Sequence, residues 1–280
     1  LPILIRSVAA HYATTTLSAD DRNAARIRLL SAYLTAAQQA DVAVTPSRHR
    51  EPVVSPPPSA PPAPFASPSG AAEWLAVEQD NLVRAIETAA QYGEDDTCWK
   101  LAYAIRDHLF RTMAIDAWVR SHTTALAAAR RTGDLWAVAV TLNNLGLAYA
   151  LSHRPDEADR HYVEALDLFR GLGDTYGEAN TLGHLAWTAY LRTDYAVAQE
   201  RARSALAIYQ DQLAVRNIAI TLRTLAQAEA ALGQTEAAIT HLGESLDACI
   251  ACGLVLDEAM TLNCLGEVTG DASAAAGLFV

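Results

Sequence analysis

TLNNLGLAYA, at residues 141–150, returns three times at intervals of 40 residues. The later copies are TLGHLAWTAY at 181–190, TLRTLAQAEA at 221–230 and TLNCLGEVTG at 261–270. Two more columns keep this spacing: one holds Ala158, Ala198 and Ala238, with Trp118 one unit earlier, and the other holds Leu126, Leu166, Leu206 and Leu246. Because a fixed period of this length is the sequence signature of stacked repeats, the sequence predicts a repeat architecture.

Each unit has the pattern of two consecutive helices. In the 134–173 unit, apolar residues recur at steps of four, three and four, at Val138, Leu142, Leu145 and Tyr149. These steps place them on one face of a helix. Pro155 opens a second helix, at a position where its missing N–H costs nothing. We expect Gly146 and Ala158, both small, to lie where the two helices cross closely.

The order of residues in this unit resembles the tetratricopeptide repeat, and it is carried by Leu142, Leu145, Gly146, Tyr149, Ala158, Tyr162 and Ala165. The resemblance implies an all-α fold, a right-handed α-solenoid of helix pairs, with 40 residues per unit against about 34 in the classical repeat. We expect the repeat domain to span 70–280. It would contain a leading helix, units at about 98–133, 134–173, 174–213 and 214–253, and a partial unit at 254–280.

A proline-rich stretch precedes this domain. The sequence PVVSPPPSAPPAPFASP occupies residues 52–68. Because proline fixes φ and lacks an N–H donor, we predict an extended Pro-rich linker over 46–69. It could be a mobile spacer or a docking ligand for a proline-binding domain. Residues 1–45 are expected to be helical, with Ser18 as an N-cap.

Composition favours helices and argues against two kinds of partner. The 280-residue chain carries a net charge of −11, which disfavours binding of the whole chain to nucleic acid or to a membrane surface. No apolar run approaches the length of a membrane span, and no signal peptide is recognisable. The four cysteines are therefore expected to be reduced thiols in the cytoplasm. The start at Leu1 suggests a fragment of a longer protein.

Three segments carry a wider resemblance. They are WLAVEQDNLVRAI at 74–86 followed by LAYAIRDHLF at 101–110, ALAAARRTGD at 125–134, and ALDLFRGLGDTYGEANTLGHLA at 165–186. Together they are similar to the tetratricopeptide region of bacterial STAND-type regulatory ATPases, above all the antibiotic regulatory proteins of actinobacteria. In that family the region follows an NB-ARC ATPase and its winged-helix domain, and residues 1–45 are similar to the end of that winged helix.

The resemblance implies that this chain is the sensory and regulatory arm of a larger regulator. The sequence has no G-x-x-x-x-G-K-[ST] phosphate loop, so ATP binding would belong to the attached ATPase domain. We expect no cofactor, no metal site and no direct nucleic-acid contact in this chain. Trp74 is expected to pack the leading helix onto the first repeat, and Asn81 is expected to bond nearby backbone; a ligand role for the two residues is the alternative.

Stacked helix pairs present the first helix of every pair on one inner face. By the repeat register, ten residues are expected to line a groove on that face: Asn143, Asn144, Leu147, His184, Trp187, Tyr190, Arg223, Thr224, Gln227 and Asn263. Amides can bond a peptide backbone, and an indole offers a flat apolar surface. The groove would take a protein, a peptide or a small-molecule effector. A solvated face without a ligand is the alternative.

No catalytic constellation is present, and we expect a non-enzymatic interaction module. Cys249 and Cys252 form a lone C-x-x-C, which Cys264 and His241 could complete as a zinc site. Cys249 falls in an apolar column of the repeat, which favours a buried cysteine instead. A purely structural role, in which the chain oligomerises its parent, is the alternative function, and an enzyme on a helical scaffold is the least favoured.

Overall fold

The computed structural model describes residues 11–57 and 59–270, and all regular secondary structure in those ranges is helical. This confirms the all-α prediction. Part of the expected N-terminal helix falls on residues 1–10, which lie outside the described residues, and residues 11–16 are helical. The helices are α1 (Ala19–Val44), α2 (Pro68–Gln91), α3 (Asp95–Arg111), α4 (Ile115–Thr132), α5 (Leu135–Leu151), α6 (Pro155–Leu172), α7 (Thr175–Leu191), α8 (Tyr195–Asp211), α9 (Val215–Ala231), α10 (Thr235–Ala251) and α11 (Val255–Thr269).

The chain divides into two compact units, Leu1–Thr132 and Gly133–Val280. In the second unit α5, α7, α9 and α11 are the first helices of successive repeats, here called A helices. Their partners α6, α8 and α10 are the B helices. The A helices begin at Leu135, Thr175, Val215 and Val255, which reproduces the 40-residue period. The domain limits expected from the sequence stay predictions.

Burial of the repeated apolar residues holds the second unit together. Leu142, Leu182 and Leu222 are buried at equivalent positions of three A helices. The alanines of the B-helix column, Ala158, Ala198 and Ala238, are buried completely. Removing such side chains from water supplies the main stabilisation, about 1.5–3 kcal/mol for each large aliphatic or aromatic residue. Each repeat therefore depends on the surfaces of its neighbours.

Tight turns recur every 20 residues and contain one residue with positive φ. Gly173 ends α6 with φ 70°, as expected for a left-handed cap. His153, Thr193 and Leu213 occupy equivalent turns with φ between 54° and 64°. Because side chains other than glycine seldom adopt this conformation, the turn geometry is imposed by the packing of the helices on either side.

In the first unit the start of the proline-rich segment is held in place rather than free. Arg48 Nη1 and Arg50 Nε donate to the two carboxylate oxygens of Asp41 on α1, at 2.9 and 2.5 Å. Arg50 also donates to three backbone carbonyls of residues 41–48. Val54 lies in a short 3₁₀ turn that contacts α3 and is buried. Arg48, Arg50 and Val54 therefore have partners on α1 and α3, and the mobile-spacer interpretation of residues 52–68 stays a prediction.

The leading helix α2 shows one further difference from expectation. Asn81 Nδ2 donates to the carboxylate of Glu78 at 2.8 Å, so its bond is to a side chain and not to backbone. The same carboxylate accepts a hydrogen bond from Tyr33 on α1. Trp74 contacts the ring of Phe65, at 6.0 Å between centroids. None of the helices in residues 11–57 and 59–270 combines the length and the apolar composition needed to cross a bilayer.

Candidate binding face

The ten predicted groove residues all lie on the A helices, and each A helix contacts the next one along the chain. Asn143, Asn144 and Leu147 are on α5, His184, Trp187 and Tyr190 on α7, Arg223, Thr224 and Gln227 on α9, and Asn263 on α11. Their burial separates them into three groups. Asn143, Asn144, Leu147 and Arg223 are buried, His184, Trp187, Tyr190, Thr224 and Gln227 are half-buried, and Asn263 is exposed.

Asn143 joins α5 to α7. Its Oδ1 accepts a hydrogen bond from Thr181 Oγ1 at 3.2 Å and lies 3.1 Å from His184 Nδ1. His184 also contacts the ring of Tyr162, at 5.2 Å between centroids. Asn144 is buried beside it, and its Nδ2 has no hydrogen-bond partner among the described residues. The side-chain oxygen of Asn143 is thus already used in holding two repeats together.

Arg223 joins α9 to α11 in the same way. Its guanidinium donates to the backbone carbonyl of Asp257 at 3.2 Å and lies 3.6 Å from the Asp257 carboxylate. Thr261 Oγ1 is 3.5 Å from Arg223 Nη1, the nitrogen that donates to this carbonyl. Arg216, two turns earlier on α9, lies 3.4 Å from the other carboxylate oxygen. The only arginine predicted for the groove is therefore neutralised within the stack and does not offer a free positive charge.

Six of the ten residues remain available to solvent and form the accessible patch: His184, Trp187, Tyr190, Thr224, Gln227 and Asn263. Trp187 packs part of its ring against the apolar core of the second unit and leaves the rest uncovered. Thr224 Oγ1 donates to the backbone carbonyl of Ile220, at 3.3 Å. Asn263 Nδ2 donates to Glu267 Oε1 at 2.9 Å. The patch consists of aromatic rings and short polar groups.

The electrostatics of this patch are close to neutral. Burial raises the pKa of Tyr190, and Tyr195, Cys264 and Glu267 raise it further, so the phenol stays protonated over the physiological range. Those influences also show that Tyr190 on α7 lies near Cys264 and Glu267 on α11. Glu267 carries a carboxylate beside the patch, and it is bonded to Asn263. The arrangement can accept and donate hydrogen bonds and can cover apolar groups, but it has no free cation for an acidic ligand.

Two charged clusters in this unit were missed by sequence reasoning. Asp257 falls in a column that holds Ala137, Gly177 and Asn217 in earlier units, and its charge, which none of these has, was the available signal. Glu229 is fully buried on α9, where it lies 3.1 Å from Arg203 on α8 and 2.6 Å from His241 Nδ1 on α10. Glu229 departs from the repeat as well, since the same column holds Tyr149 and Ala189. Both acids connect neighbouring helices.

The cysteines and titratable residues do not assemble into a metal site within the described residues. Cys249 is buried, as its place in the repeat predicted, and Cys252 is exposed. Burial raises the pKa of Cys249 and of Cys264, which favours the thiol form over the thiolate that binds metal ions.

The comparisons with known proteins agree with this geometry. The tetratricopeptide repeat family matches residues 137–211. The fold is similar to the crystal structure of BtubC (BKLC) from P. vanneervenii, with a TM-score of 0.54 and 21% sequence identity over 66% of this chain and 79% of that one. No curated protein matches the sequence. The chain therefore contains a tetratricopeptide region within an all-α solenoid.

Tetratricopeptide regions are typically non-catalytic and generally mediate protein interactions. The accessible patch lies on the A helices, and it starts inside the matched segment at His184 and continues beyond it to Asn263. The ten residues predicted for the groove stay a prediction. Four of them are buried by the packing of the stack.

Proposed function

We propose that this chain is the sensory and regulatory arm of a larger STAND-type ATPase regulator in the cytoplasm, and that it works by binding a partner on the accessible patch. The single observation that carries the binding proposal is the patch itself. Trp187 and Tyr190 on α7 leave aromatic surface uncovered, and the contacting helix α9 carries the half-buried polar side chains of Thr224 and Gln227. Aromatic residues with adaptable polar neighbours are the usual composition of recognition surfaces.

The chemistry of the patch favours an uncharged segment of a partner. Arg223 is paired with Asp257, so no cation is available to bind a carboxylate. Hydroxyl and amide groups such as those of Thr224 and Gln227 suit a peptide backbone, which offers one donor and one acceptor per residue. The resemblance of residues 74–86 and 165–186 to the antibiotic regulatory proteins supports the STAND parent. Binding regulates an attached ATPase only if the partner prefers one of its two states.

The test places charge in the patch without removing packed atoms. In the parent protein, Gln227→Glu changes one amide of the patch into a carboxylate of the same shape. We expect the regulated output to respond to its effector about tenfold less well or worse, since an unpaired carboxylate in a recognition surface must be desolvated. Gln210→Glu on α8 is the matched control, because Gln210 is exposed and lies on a B helix.

Both variants are checked for an unchanged circular dichroism spectrum and melting temperature before the output is measured. A full response in the Gln227→Glu variant would overturn the proposal. So would an equal loss in the Gln210→Glu control, because that result would assign the effect to net charge and not to the patch.

A further inference from the structure

The first unit contains a group of five charged side chains that are largely withdrawn from water, here called the arginine cluster. Its cations are Arg48 and Arg50, which follow α1 and have buried side chains, and Arg106 on α3, whose side chain is 18% exposed. Its anions are the buried Asp41 on α1 and Asp107 on α3. Three positive charges against two negative ones leave one positive charge unbalanced among these five side chains, whereas buried charges are normally paired.

The two acids of the arginine cluster are already engaged. Asp41 accepts hydrogen bonds from both of the arginines that follow α1. Asp107 Oδ2 accepts a hydrogen bond from Thr45 Oγ1 at 2.5 Å. The other oxygen of Asp107 lies 3.9 Å from Arg106 Nη1, which is too far for a hydrogen bond. Arg106 is therefore the arginine of the cluster that is not hydrogen-bonded to either acid.

Arg106 also differs from its neighbour Arg48 in its electrostatic surroundings. The Nε atom of Arg106 is buried and has no hydrogen-bond partner in the part of the chain that the structure describes. Burial and the charge of Arg48 lower the pKa of Arg106 to about 10. Burial acts on Arg48 in the same direction, but Tyr103 and the two acids together outweigh it and raise its pKa above the usual value. The cluster thus compensates Arg48 and leaves Arg106 short of negative charge.

The neighbouring helix α4 does not supply the missing charge. Its buried residue His122 is close enough for Arg106 to influence it, and burial together with Arg106 lowers the pKa of His122 to about 3. The imidazole is therefore uncharged at neutral pH and leaves the balance of the cluster as it is. Because part of the Arg106 side chain is in contact with water, a small ligand can reach it from solvent without unpacking the helices.

We propose that Arg106 binds a small, singly charged carboxylate in the first unit. A bound ion is one explanation for a buried polar group that has no partner in the chain itself. A carboxylate matches the planar guanidinium through paired hydrogen bonds, and it brings the single negative charge that the cluster lacks. A doubly charged oxyanion would leave an excess of negative charge beside Asp107. The site shares no residue with the accessible patch, so the two proposals are tested separately.

The test compares the melting temperature of the full chain in sodium formate, the smallest carboxylate, and in sodium chloride at the same ionic strength. We expect about 50 mM formate to raise the melting temperature of the wild type by about 2 °C or more over chloride, because a ligand that binds only the folded state stabilises it. Arg106→Gln, which removes the guanidinium and its charge, should abolish this difference. Arg111→Gln, at an exposed arginine of the same helix, is the matched control and should keep it.

Sodium sulfate at the same ionic strength tests the charge of the ligand, and we expect it to stabilise the wild type no more than Arg106→Gln. If Arg106→Gln does not fold, Arg106→Lys replaces it; this variant keeps the charge without the planar fork and should lose most of the formate effect. Equal melting temperatures of the wild type in formate and chloride would overturn the proposal without reference to any variant. A formate effect that persists without the Arg106 guanidinium, one that is lost in Arg111→Gln, or a larger Arg106-dependent effect of sulfate would also overturn it.

Discussion

At the scale of single residues, Gly146 packs closely against the ring of Tyr162 in the same repeat. A Cβ atom placed there would lie 2.6 Å from Cε1 of the Tyr162 ring. Tyr162 is fully buried, so its ring cannot swing away into solvent. We predict that Gly146→Ala lowers the free energy of unfolding by about 1–3 kcal/mol, as expected when a packed interior is overfilled. Chemical denaturation followed by circular dichroism measures the change.

Gly183 provides the matched control for this prediction. It occupies an A helix one repeat later, and a Cβ atom built there meets nothing within 4 Å. Gly183→Ala should therefore raise the free energy of unfolding by about 0.5–1 kcal/mol, which is the helix propensity gained. Equal effects of the two substitutions, in either direction, would contradict the close packing of Gly146 on Tyr162.

Single residues also show where sequence reasoning succeeds and where it ends. The repeat pattern predicted that α5 and α6 cross closely at Gly146. A small residue at this place in the pattern is enough for that prediction. The repeat pattern could not predict that the polar side chains of Asn143 and Arg223 form hydrogen bonds with the next repeat. Those bonds depend on Thr181 and Asp257, which become neighbours only after stacking. The same limit explains why the hydrogen bond of Arg50 was not predicted, because its partner Asp41 lies on α1 and becomes a neighbour only in the folded chain.

At the scale of elements, the α3–α4 pair of the first unit contains a buried histidine. His122 on α4 is completely buried, and its Nδ1 lies 3.1 Å from Ser121 Oγ. Burial, together with the nearby Arg106, lowers the pKa of His122 to about 3. In the unfolded chain a histidine binds its proton near pH 6.5. Between pH 6.5 and 3 the unfolded state therefore binds a proton at His122 that the folded state does not bind. The contribution of His122 to stability is present above pH 6.5 and is lost as the pH falls towards 3.

This linkage predicts a pH dependence that one substitution removes. Between pH 6.5 and 5 the wild-type chain should lose about 2 kcal/mol of unfolding free energy through His122, at about 1.36 kcal/mol per pH unit. His122→Asn, which stays neutral, should lose that much less over the same interval, whatever its stability at pH 7. Urea unfolding at a series of pH values gives both slopes. Parallel slopes for wild type and variant would contradict a neutral buried His122.

At the scale of the whole second unit, the repeated helix pairs stabilise one another through shared surfaces. The sequence predicted this organisation because its period, its small residues and its turns all agree on one fold. It did not predict how much of the A-helix face would remain available, since burial depends on side chains of neighbouring repeats. The extent of the accessible patch could be found only after those neighbours were placed, whereas the buried Glu229 had a sequence signal in its departure from the column of Tyr149 and Ala189.

Stacking of this kind predicts that damage in one repeat spreads to the adjacent ones. Leu222 lies on α9 in a cluster with Leu206 and Leu225. Leu222→Ala should lower the global stability by about 2–5 kcal/mol. Hydrogen exchange of the backbone amides should show protection lost in α7 and α11 as well as in α9, with a smaller loss in α5, because each repeat relies mainly on its nearest neighbours. Loss confined to α9 would show that the repeats fold independently, and equal loss in all four A helices would show a single cooperative block.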